Sequence, residues 1–134
     1  MDIALTPYVA LFAGGLVAIL VAVGWVLARH DTIGSPAIAA ALAAGFAAFS
    51  AVTIWAEGLM PVLANHTSNL WGVQVWWDLL FSLSIAYFLI LPRAKAQGMN
   101  LMLWTVFILA TASIGLLAMC SRLFWLEGQS GRAA

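Results

Sequence analysis

Four apolar stretches, at 9–27, 37–56, 72–91 and 101–121, follow one another with only short polar breaks between them. A bilayer core of about 30 Å takes about 20 helical residues to cross, so each stretch predicts one span. Little chain is left over for anything else. With 65% hydrophobic and 7% charged residues in 134, no water-soluble domain could hide the apolar surface. The expected fold is all-α, a four-helix transmembrane bundle running up-down-up-down over the single domain 1–134. Any activity must then reside in the helices or at their ends.

Charge placement predicts orientation. Arg29 lies in the break before the second stretch, and Arg93 and Lys95 lie in the break after the third. Positively charged loops stay in the cytoplasm, which places both ends of the chain outside, in the periplasm of a bacterial inner membrane. Arg122 and Arg132 would then fall on the outer side, against the trend. Asp2 at the translocated end agrees with it, Thr6 and Pro7 suit a helix start, and the first stretch is longer than the apolar core of a cleaved leader. The acidic and basic residues number five each, so there is no nucleic-acid footprint.

Lipid tails are as apolar as leucine, so helices in a membrane associate through small residues and polar contacts. Ala10, Gly14, Ala18 and Ala22 make one such stripe, and Ala37, Ala41 and Gly45 another, which predicts that the first two helices pack together. Trp55, Trp71, Trp76 and Trp77 gather toward the outer end. Indoles commonly anchor a bundle at headgroup level, but the same four form a candidate wall for a flat lipophilic ligand.

Asp78 is the residue that most demands explanation. Counting back from Pro92 at 1.5 Å per residue leaves it roughly 9 Å inside the outer boundary, where a bare carboxylate is expensive. Gln74 and Ser82 share its helical face. Ser50, Thr53 and Glu57 form a similar stripe on the second stretch, and Arg122 shares a face of the fourth with Thr111, Gly115 and Ala118. The expectation is a buried cluster of Asp78, Arg122, Glu57, Gln74 and Ser82, with an Asp78–Arg122 ion pair fixing the register of the bundle. A functional reading of the same cluster is a proton relay, with His66 exchanging protons, or a polar pocket for the head of a lipophilic molecule.

Other chemistry finds no residues. His30 and His66 fall in breaks on opposite sides and cannot share a haem, and two histidines with the lone Cys120 make no metal site. No glycine-rich phosphate loop or nucleophile–base pair is present. No cofactor is expected beyond a bound lipid, quinone or carotenoid.

From Asp78 onward a further pattern stands out: the acid with Ser82 four residues on, a basic turn from Arg93 to Met99, Trp104, and Ile114-Gly115-Leu116 running toward Arg122 and Glu127. This segment resembles a family of small bacterial integral membrane proteins without an assigned function. The resemblance implies a helical membrane protein and no catalytic role. The expected function is a non-enzymatic subunit or accessory protein that packs in the bilayer against a larger membrane complex, redox or photosynthetic, or against copies of itself. The alternatives are a binder or carrier of a lipophilic molecule or of protons centred on Asp78, and an isoprenoid- or lipid-modifying enzyme using Glu57 and Asp78 as acid and base.

Overall fold

The computed structural model describes residues 7–28 and 34–133. Asp2, Thr6 and Arg29, which enter the orientation and capping expectations, and His30, which enters the haem argument, lie outside the described residues. Six helices run in chain order: α1 Pro7–Ala28, α2 Pro36–Glu57, α3 Met60–Thr67, α4 Leu70–Ala96, α5 Leu101–Thr111 and α6 Ser113–Ala133. Among the described residues there is no strand, so the all-α expectation holds. Three helices, α1 over Pro7–Trp25, α2 and α4, are long and apolar enough to cross a membrane, which marks the chain as a membrane protein. The chain divides into two units, one holding α1 and the other, from Ser35 onward, holding α2 to α6.

The helix starts in the second unit are written in the sequence. Ser35 caps α2, its hydroxyl accepting from the Ile38 N–H at 3.3 Å, and Pro36 follows where no N–H is needed. Asn69 and Asn100 cap α4 and α5 in the same way, accepting from the Gly72 and Leu103 N–H groups. The third apolar stretch ends at 91 with a proline next, which predicts a turn there, but α4 continues through Pro92 to Ala96. The proline removes one ladder bond, and the continuation is held by Ala94, which is fully buried, and by contacts from α6.

The fourth stretch departs most from expectation. It is not one span over 101–121 but two helices separated by the single residue Ala112. Ala112 has φ 50° and ψ −119°, the conformation of the first central residue of a type II′ turn, and the chain reverses there. Gly115 makes the reversal possible. A Cβ at that position would lie 2.7 Å from Thr111 Oγ1 and 2.9 Å from Ile108 Cα, so only glycine lets the start of α6 cross the last turn of α5.

The contacts of α6 fix its direction. Leu101 and Leu123 belong to one packed cluster, although a continuous helix would separate them by about 33 Å. Arg93 at the end of α4 binds Glu127, and Ser130 donates to Gln97 at 3.1 Å, so α6 runs in the same direction as α4 and finishes beside its last turn. Ser121 donates to the Pro36 carbonyl at 2.9 Å, which sets α6 against the first turns of α2, where Ala39 and Ala43 are buried. The expected position of the residues after 121, at the end opposite Arg93, is therefore corrected: the reversal at Ala112 brings them back to the Arg93 end.

The core follows from this arrangement. Ala94, Ile108, Met119 and Leu123 are its buried residues, with Tyr87, Ile90, Trp104 and Phe124 packed around them. Tyr87 and Thr105 join α4 to α5 through their hydroxyls. Helix α6 is the hub, touching α2, α4 and α5. In α2 the buried small residues are Ala39 and Ala43, whereas Ala37, Ala41 and Gly45 of the expected stripe are exposed.

Candidate functional site

The segment ahead of Asp78 is a second, smaller helical hairpin. The break expected between the second and third stretches contains α3, joined to α4 by Ser68 and Asn69. Gly72 allows the two helices to touch, because a Cβ there would collide with the Asn65 carbonyl. The His66 ring lies against Trp76 with centroids 5.3 Å apart, and its Nδ1 donates to the Val62 carbonyl at 2.6 Å. That bond assigns the Nδ1 proton, since a carbonyl only accepts. His66 thus supports the α3–α4 packing, and among the described residues it makes no hydrogen bond to Asp78 or Glu57.

Beyond this hairpin the α4 face carrying Gln74 and Asp78 is open. Leu70, Val73, Gln74, Trp77, Asp78 and Phe81 line one shallow groove along it. These residues recur at three- and four-residue steps, so one helix supplies the whole surface. Trp77 and Phe81 meet edge to face, 5.6 Å between centroids and 89° between planes. Asp78 is exposed and, among the described residues, has neither a hydrogen bond nor an ion pair. Ser82, one turn further, is exposed as well.

The expected buried cluster does not assemble. Arg122 stacks its guanidinium on Trp125, 4.4 Å from the ring centroid, instead of pairing with Asp78. Direction explains why. Because α6 runs parallel to α4 with Glu127 level with Arg93, Arg122 sits about 7.5 Å before that level and Asp78 about 22 Å before it. The two side chains are separated along the bundle by roughly 15 Å, beyond the reach of an arginine. Glu57 ends α2 as an exposed residue next to Gly58, whose φ of 80° turns the chain toward α3. Three polar faces therefore do not converge on one outer position.

The four tryptophans do not make one wall. Trp76 faces α3 and His66, Trp77 faces Phe81 and the Asp78 groove, and Trp55 and Trp71 are 89% and 75% exposed. Their exposure suits indoles that meet lipid headgroups.

Among the described residues the ion pair joins two groups that helical spacing does not bring together, Arg93 and Glu127. Arg93 donates from Nε to Glu127 Oε1 at 2.8 Å and from Nη2 to Oε2 at 2.6 Å, and its guanidinium lies 5.4 Å from the Phe124 ring centroid. This fork ties the end of α4 to α6. The signal for it was present as the small and polar interruption Thr111, Ala112, Ser113 and Gly115 at the middle of the fourth stretch.

The comparisons add no relative. No family model, no curated protein and no solved structure matches the chain.

Proposed function

We propose that this chain is a multi-pass protein of the bacterial inner membrane and a non-enzymatic subunit that docks on another membrane protein through the Gln74–Asp78 face of α4. The observation that carries the reading is the isolation of Asp78. A carboxylate within the hydrocarbon is stable only against a partner or in a wet cavity, and no described residue of the chain answers it. The groove beside it is open and shallow, the shape that a neighbouring helix covers.

The same reading orients the chain. Arg93, Lys95 and Arg122 lie at the end of the second unit where α2 begins, Arg132 belongs to the last turn of α6, and Arg29 precedes α2 in sequence. The four basic residues from Arg93 onward then favour one side, the cytoplasm, where straight spans would divide them two to two. Glu57, His66 and Asp78 belong to the outer end. Helices α5 and α6 enter the bilayer from the cytoplasmic side and return. At 11 residues, α5 is about 16 Å long, half the hydrocarbon thickness.

Extraction in a mild detergent tests the docking role. The protein should migrate as part of a larger complex, and Asp78→Asn should release it as a folded monomer. Release without loss of folding distinguishes docking from a structural role; a wild-type chain that is always a lone monomer contradicts the proposal. A second reading is favoured by Trp77 and Phe81 beside the acid, which suit the ring of a quinone or a carotenoid end group held by its polar head. Pigment or quinone that co-purifies with wild-type protein and is lost from Trp77→Leu would support that reading over docking.

A further inference from the structure

The groove around Asp78 carries information about what covers it, and the inference drawn from it rests on the docking reading above. At the outer end of the second unit the titratable groups are Glu57, His66 and Asp78; Arg93, Lys95 and Arg122 are at the other end. A second copy inserted in the same direction therefore brings none of these three basic residues to the depth of Asp78. Its own groove would bring another carboxylate, and like charges at short range repel in a medium of low dielectric. His66 of a second copy is engaged through Nδ1 with Val62 and through its ring with Trp76.

The groove instead complements a guanidinium. Asp78 offers two acceptor oxygens in the geometry of an arginine fork, and Gln74 one turn away adds an amide oxygen. Trp77 and Phe81 flank the acid, and in an edge-to-face pair one ring keeps its faces free for a cation. The chain uses the same stacking elsewhere, in Arg122 on Trp125. We infer that the occupant of this groove is a transmembrane helix of a different protein that carries an arginine in the outer third of its span. The arginine pairs with Asp78 and stacks on the Trp77–Phe81 pair. The apolar flank of the groove, Leu70 and Val73, receives the aliphatic part of the same helix.

The probe is a synthetic polyleucine transmembrane peptide with one arginine about 9 Å below one end, reconstituted with the full chain in phosphatidylcholine vesicles. Association is read by energy transfer between labels. The arginine peptide should bind roughly five- to thirtyfold more tightly than the same peptide with leucine or glutamine at that position. Asp78→Asn should remove most of this preference, Asp78→Glu should keep it, and Trp77→Leu should weaken it, each with helix content unchanged by circular dichroism. Equal binding of the three peptides, or a preference indifferent to Asp78→Asn, overturns the inference. So does an Asp78-dependent self-association of the chain, which would put a second copy in the groove. If a native complex still depends on Asp78 while the peptides bind equally, the arginine partner is wrong and the docking role stands. If neither depends on Asp78, both fall.

Discussion

Arg93 and Glu127 lie 34 positions apart in sequence, yet their fork is the most specific contact in the second unit. The two sides of it are unequally wet: the Arg93 side chain is 41% exposed and that of Glu127 only 14%. Removing the arginine strands a mostly buried carboxylate, whereas neutralising the glutamate leaves a guanidinium that can turn to water. Arg93→Met should therefore cost more than Glu127→Gln, by roughly 1 kcal/mol in detergent-solubilised protein, with partial exposure holding the pair below a fully buried one. The double variant should cost less than the two single changes added together. Unfolding midpoints of the three variants check this, and strict additivity would mean that the two groups do not act as a pair.

At the level of elements, the break at Ala112 decides how the last third of the chain is used. A positive φ strains any residue with a Cβ, so Ala112→Gly should raise stability by about 1 kcal/mol. Gly115→Val should lower it by about 1–3 kcal/mol, because the added atoms meet the α5 backbone at Ile108 and Phe107 as well as the Thr111 hydroxyl, and the backbone cannot move aside. A straight helix through 112 would reverse both signs: glycine would destabilise, and valine would be tolerated. Thermal unfolding in one detergent is enough to tell them apart. These residues also show what the sequence could and could not reveal. The bilayer is a ruler, so α1, α2 and α4 were legible from length and apolarity, and the caps at Ser35 and Asn69 mark where two of them begin. The 101–121 stretch is as apolar folded back as it is straight, so hydropathy alone could not register a reversal confined to one residue. The face shared by Gln74 and Asp78 was legible from helical spacing. Its assignment to Arg122 was not, because that depended on the direction of α6.

For the whole molecule, the direction of α6 and the distribution of charge make the same demand. If α5 and α6 together crossed the membrane, Glu127 would leave Arg93 and travel about 30 Å to the opposite face, and Arg122 and Arg132 would be carried outward against the positive-inside trend. Folding back avoids both costs and keeps the fork, the Ser130–Gln97 bond and the Ser121–Pro36 bond together. The arrangement is tested by thiol accessibility in a Cys120→Ala background, since Cys120 is the chain's one native thiol. Asn65→Cys in α3 and Ser130→Cys in α6 are both at exposed positions, so neither is shielded by the fold. In intact cells a membrane-impermeant maleimide should label Asn65→Cys at once. Ser130→Cys should react only after the membrane is opened. Rapid labelling of both from outside would mean that the fourth stretch spans the bilayer after all. Because Arg93 could not then reach Glu127, the same result would require Arg93→Met and Glu127→Gln to be neutral, so the accessibility and stability measurements must agree on a single topology.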